Sequence, residues 1–128
     1  LLDLRVLRGG DSTDMTSMTA RALLDTGATV SGIGPRVVAE LGLASHSKKR
    51  LKSATDEVFV DYYLFRIGFD LPGSELETDA WRLPFIFNEL DGFSWGREAD
   101  FDVILGMDVI SQTDLIISRD GMVSMRFG

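Results

Sequence analysis

Asp25 stands where an apolar run gives way to a turn of small residues, in Ala22-Leu23-Leu24-Asp25-Thr26-Gly27-Ala28-Thr29. Leu23 and Leu24 suit burial in a sheet, Gly27 permits a backbone geometry that other residues resist, and Asp25 is thereby brought to a partly desolvated position. A carboxylate held in this way is suited to general acid–base work, but a single one cannot serve as base and acid at once. Two are needed. Held close together, like-charge repulsion leaves one protonated and the other ionised, and the pair then covers both tasks. Asp, Thr and Gly are also common turn residues, so the tripeptide by itself is compatible with a plain turn.

A second segment adds weight. Phe101-Asp102-Val103-Ile104-Leu105-Gly106-Met107-Asp108-Val109-Ile110 reads as a buried strand that ends in Gly and runs into a short helix. Together, Leu23-Leu24-Asp25-Thr26-Gly27-Ala28 and Ile104-Leu105-Gly106 resemble the two hallmark segments of the retropepsin-like aspartic proteases, single-domain relatives of pepsin that include the retroviral proteases. The resemblance spans most of the chain, in the family's order and at about its spacing. It implies an all-β fold with one or two short helices, an acid-protease β-barrel or sandwich with one lobe per chain. It also implies an aspartic endopeptidase acting on a peptide or protein substrate without a cofactor. Asp25 is then the catalytic residue, Thr26, Gly27 and Ala28 complete its loop, and Ile104, Leu105 and Gly106 form the hydrophobic-Gly motif.

The chain holds one Asp-Thr-Gly, because Asp91 and Asp120 precede glycine in polar turn contexts without an apolar strand before them. The economical source of a second carboxylate is a two-fold homodimer in which Asp25 meets Asp25 of another copy, since an isologous interface generates that arrangement automatically. One Asp would activate a water for attack on the peptide carbonyl, while the proton on the other stabilises the oxyanion and is relayed to the leaving amine. The family resemblance further implies that Thr26 hydrogen-bonds across the dimer, that Gly27 offers backbone contacts to substrate, and that the C-terminal strand helps to build the interface. Ala28 stands where pepsin-like motifs carry Ser, which removes a hydroxyl that could favour the ionised carboxylate and points to a less acidic optimum. Thr29 and Met107 replace the Asp and Arg common in retroviral enzymes, so the corresponding ion pair cannot form. The competing reading is a non-catalytic dimeric module that binds peptides in the same cleft.

Composition excludes several other classes. The 128 residues suit one domain over 1–128, and 45% hydrophobic residues suffice for one modest core. With 20 acidic against 13 basic side chains the net charge is −7, which argues against nucleic acid or an anionic membrane as the main partner. There is no cysteine, hence no disulfide or thiolate site, and His46 is the sole histidine, so no metal site is expected. The absence of cysteine suggests a reducing, cytoplasmic setting. No apolar run approaches membrane-spanning length and no signal peptide is visible. A start at Leu1 without Met reads as a trimmed or excised domain, which leaves room for flanking targeting or anchoring segments.

The elements that must position Asp25 follow from periodicity. Leu2, Leu4 and Val6, then Met18, Ala20 and Ala22, alternate with polar residues and predict two strands. Thr29-Val30 is expected to re-enter a sheet, and Pro35 to open a short helix over 36–41 that Gly42 stops. Gly32-Ile33-Gly34 looks like the start of a dinucleotide fingerprint, but Val37 occupies the third small position and no βαβ rhythm follows. His46 to Lys52 reads as a solvated basic loop with an exposed histidine. A hairpin is expected from Arg50 through Val58 to Phe69; in the resembled family the flap lies here, with Ser53, Ala54, Thr55 and Asp56 at its tip. Those residues, together with Ile33, Val58 and Ile104, are the expected substrate contacts. Residues 80–87 suggest a strand with Pro84 at an edge, residues 88–100 a loop or hairpin, and Arg119-Asp120-Gly121 the turn of a C-terminal hairpin.

Overall fold

The computed structural model describes residues 1–52, 57–69, 85–95, 97 and 99–127. The two alternating N-terminal segments form β1 (Leu2–Arg8) and β2 (Ser17–Leu24), an antiparallel pair with Leu4 opposite Ala20 and Val6 opposite Met18. Met18, Ala20 and Ala22 are buried while Thr19, Arg21 and Leu23 are exposed, as a period of two requires. That parity corrects one expectation: Ala22 is the inward residue before the turn, Leu24 is half-buried, and Leu23 faces outward.

The chain continues through β3 (Gly32–Ile33), α1 (Pro35–Leu41), β4 (Ser47–Lys52), β5 (Glu57–Phe69), β6 (Phe85–Ile86), β7 (Leu90–Ser94), β8 (Val103–Leu105), α2 (Met107–Ile110), β9 (Thr113–Ile117) and β10 (Val123–Phe127). Strands pair in the order β1-β2-β8-β3-β7-β5, and β1 pairs again with β5, so the sheet closes into a six-stranded barrel. The 13-residue β5 is long enough to serve the barrel and also to carry β4 and β6. Val6, Ile33, Phe65, Ile67, Val103 and Leu105 fill the interior and are wholly buried.

Helix α1 starts at Pro35, whose missing N–H costs nothing in a first turn, and ends at Gly42 in the left-handed region at φ 59°. Val37 and Leu41, one turn apart, are its buried face. Its outer face is pinned by Arg36, which donates to both oxygens of Asp102 at 3.0 and 2.8 Å, to Glu40 at 2.9 Å and to the Thr19 carbonyl at 3.2 Å. Asp102 also accepts the Arg21 N–H at 3.1 Å, so one carboxylate ties the helix to β2 and to the start of β8. The Arg36 hydrogen bonds hold its carboxyl below the usual range, against the opposing effect of burial.

Other expectations change. Thr29 and Val30 form a bend, and the chain re-enters the sheet at Gly32–Ile33. The basic stretch is a strand, β4, because each residue is registered against β5, with Lys48 opposite Asp61 and Lys52 opposite Glu57. His46 is exposed as expected, yet its Nε2 lies 2.7 Å from Asp91 Oδ1 on β7. Within 88–100, residues 90–94 make a barrel strand that pairs with β5 and runs parallel to β3. Of the expected strand over 80–87, residues 80–84 lie outside the described residues, and Phe85–Ile86 pairs with the end of β5. The C-terminal hairpin is present, a separate two-stranded sheet whose turn places Gly121 at φ 87°.

Candidate active site

Strand β8 is inserted between two strands that are neighbours in sequence. It runs parallel to β2, with Leu23 opposite Ile104 and Leu24 opposite Leu105, and antiparallel to β3 on its other side. The connection from β2 to β3 must therefore cross the end of β8, and Asp25 heads that crossing. The Asp25 N–H donates to the Leu105 carbonyl at 3.0 Å, continuing the ladder by one residue, and the Ala28 N–H closes a turn onto the Asp25 carbonyl at 3.1 Å. From the other side the Met107 N–H donates to the Ala28 carbonyl at 2.8 Å.

The Asp25 side chain is half-buried, and its Oδ1 accepts the Gly27 N–H at 2.9 Å. Its Oδ2 accepts no hydrogen bond from the described residues. The carboxylate is thus oriented through one oxygen and presents the other. Gly27 has no positive φ, which corrects the expected backbone freedom; its constraint is proximity, since a Cβ there would lie 3.2 Å from Asp25 Oδ1. Gly106 is the more demanding glycine. A Cβ on it would sit 2.7 Å from the backbone C and O of Val30 and 3.0 Å from the Ala28 carbonyl, so the crossing chain lies directly on it.

Beneath the loop lies a pair that sequence reading did not find. Ser31, wholly buried, donates its N–H to Asp108 Oδ2 at 2.9 Å and its hydroxyl to Asp108 Oδ1 at 2.6 Å, and accepts the Gly106 N–H at 3.0 Å. Ser31 and Asp108 are 77 positions apart, and neither sits in a local pattern that marks it. The only available signal was one polar residue shortly after each hallmark segment.

Of the expected site residues, Asp25, Thr26, Gly27 and Ala28 are thus brought onto Ile104, Leu105 and Gly106. Thr26 and Gly27 are exposed, Ala28 and Ile104 half-buried, and Leu105 and Gly106 buried. Ile33 is wholly buried among core side chains, so its side chain belongs to the packing of the barrel and not to an open surface. Val58 is paired opposite Leu51 on β5. Ser53, Ala54, Thr55 and Asp56 lie outside the described residues.

An apolar groove of about 580 Å³ adjoins the strand that delivers Asp25, lined by Leu1, Leu2, Leu23 and Leu24 on one side and by Met122, Val123 and Met125 of the C-terminal hairpin on the other. Ile116, Ile117, Met122 and Val123 are all exposed. Among the described residues no helix is long and apolar enough to cross a membrane.

A closed β-barrel with an Asp-Thr-Gly loop crossing the end of an inserted Ile-Leu-Gly strand defines one lobe of an acid protease. Accordingly, the chain belongs to the aspartyl protease family, of the retropepsin-like kind, whose family model matches residues 12–109. That span includes the Asp25 loop and the Gly106 crossing and stops before β9. No curated protein matches the chain.

Proposed function

We propose that this chain is an aspartic endopeptidase whose dyad consists of Asp25 and Asp25 of a second copy, brought together in a two-fold homodimer. The carrying observation is the Asp25 carboxylate itself, fixed by Gly27 through Oδ1, with an Oδ2 that accepts no hydrogen bond from the described residues. With one such group per chain, acid and base must come from two chains. The ionised member of the pair removes a proton from water as it attacks the peptide carbonyl; the protonated member hydrogen-bonds the developing oxyanion and passes its proton to the amine. Burial beneath a bound peptide strengthens both effects by excluding bulk water.

The exposed apolar residues of β9 and β10 support the dimer, as does Thr26, whose exposed side chain makes no hydrogen bond with the described residues and so is available to a partner's loop. The catalytic unit is the single domain 1–128, with Ile104 as an apolar contact for substrate side chains; residues 53–56 and 58 enter as substrate contacts on the family resemblance alone. No cofactor enters the mechanism. A cysteine-free chain suits the cytoplasm.

Asp25→Asn removes the acid–base function at almost constant volume. Cleavage of a diverse peptide pool should fall at least about 1000-fold, while circular dichroism and sedimentation stay as in the parent. Peptide capture without cleavage by both proteins would instead establish the binding-module reading. Undiminished cleavage by the Asn variant would remove Asp25 from the mechanism.

A further inference from the structure

Among the described residues only Ser31 and Arg66 are both polar and buried. A wholly buried hydroxyl is costly unless its donor and an acceptor direction are used. At Ser31 they are used in a fixed sense. The Gly106 N–H can only donate, so Ser31 Oγ must accept from it and direct its own proton to Asp108 Oδ1, while the Ser31 N–H takes Asp108 Oδ2. Both donors of one residue are thus gripped by both oxygens of one carboxylate, in charge-assisted bonds stronger than neutral ones.

The location of this grip gives it a consequence. Asp25 is fastened at the near end of the crossing by Leu105, Ala28 in the middle by Met107, and Ser31 at the far end by Gly106 and Asp108. Between these points the crossing rests on Gly106, where no Cβ fits. Releasing the far end leaves the Asp25 loop hinged at one side. We infer that Ser31 and Asp108 are positioning residues for Asp25: without touching substrate, they set the depth and tilt at which the Asp25 carboxylate meets its partner, acting through Gly106. As far as catalysis is concerned, the inference rests on the protease reading above.

The test compares Ser31→Ala, Asp108→Ala and Asp108→Asn with the parent as full chains. Each is followed by peptide-cleavage kinetics on a diverse peptide pool and by amide hydrogen exchange at one pH. The Asn variant keeps an acceptor for one Ser31 donor and loses the other, so it is the partial rescue. Expected for the two Ala variants is a fall in kcat of about 10- to 100-fold with KM within about twofold, because displacement of a reacting group on the ångström scale costs rate and not affinity. The Asn variant should recover part of it. Exchange at Gly27, Ala28, Ser31 and Gly106 should quicken about tenfold, with Val6 and Ile67 in the barrel centre unchanged.

Unchanged kcat in the Ala variants, or a loss accompanied by uniformly faster exchange and by dimer dissociation, would overturn the inference, since a merely structural pair acts on the whole fold. If either Ala variant fails to fold, the Asn variant decides by the same two readouts. Should the parent cleave no peptide, the protease reading fails; exchange then decides alone, with loop-confined acceleration upholding the positioning role and unaltered loop amides refuting it.

Discussion

The crossing at Asp25, which joins β2 to β3 over the end of β8, and the hairpin of β9 and β10, which follows β8 and α2 in sequence, differ in completeness. At the crossing, each backbone group named above has a partner, Ser31 is satisfied on both sides, and Leu105 and Gly106 are buried. At the hairpin, Ile117 and Val123 stand opposite each other in register and are 69% and 46% exposed, an uneconomical way to leave two β-branched residues. One region is finished by a single chain, whereas the other has apolar surface to spare. The carboxylate is oriented by its own barrel, and in the proposed dimer only its pairing is left to a second copy.

The sharpest way to break this contrast is to place charge on the hairpin. Because both positions are exposed in one chain, Ile117→Asp with Val123→Asp should leave the monomer folded. The two substitutions should dissociate the proposed dimer and lower cleavage at least about 100-fold at fixed concentration, since burying each charge in an apolar interface is prohibitive. Sedimentation and activity measured across one dilution series should move together. A doubly substituted protein that remains dimeric and active would show that the partner binds elsewhere.

Gly106→Ala tests the finished region. With backbone atoms of Val30 at 2.7 Å from the added methyl, no side-chain rotation relieves the contact, and a destabilisation of about 1–3 kcal/mol in urea unfolding is expected. A neutral result would mean that the crossing yields easily, and the difference between the two regions would lose its basis.

The smallest effect concerns Asp102, at the foot of β8. Its carboxyl is held down chiefly by the Arg36 hydrogen bonds, so the folded state binds its proton less readily than the unfolded chain. The stabilisation is therefore complete above the unfolded value of about 4 and is lost as pH falls through the lower folded value. Asp102→Asn should cost about 1 kcal/mol at pH 7, a figure kept low because half of the Arg36 side chain is exposed. The gap between parent and variant should close progressively below about pH 4, as read from urea midpoints at several pH values.

What could be read from the sequence was whatever is encoded locally. Alternation gave β1 and β2; Pro35 and Gly42 bracketed α1; Asp120-Gly121 marked the last turn; and the two hallmark segments located Asp25 and Gly106. The losses share one cause. β3 has two residues, β7 carries Asp91 and Gly92, and β4 is basic at Lys48, Lys49, Arg50 and Lys52, so none has an intrinsic strand pattern. They are strands because distant partners supply their hydrogen bonds, with β7 held between β3 and β5. Ser31 and Asp108 were illegible for the same reason, as each is an ordinary polar residue until the fold closes the interval between them. Ile33 shows the same limit: nearness in sequence to the Asp25 loop does not say whether a side chain lies at a surface, and this one is wholly buried in the core.

The insertion of β8 also bears on timing. Arg21 and Asp102, bonded across β2 and β8, are separated by 81 positions, and contacts of such range form late because loop closure precedes any reward. On a ribosome that releases the chain from its N-terminus, β1, β2 and the sequence Asp25-Thr26-Gly27 emerge long before the strand on which that loop must rest. Until Leu105 and Gly106 arrive, the Asp25 loop has no strand to rest on, and only its local turn holds it. The fold thereby withholds the native loop geometry from the unfinished chain, so that a nascent polypeptide exposes the motif before its arrangement exists.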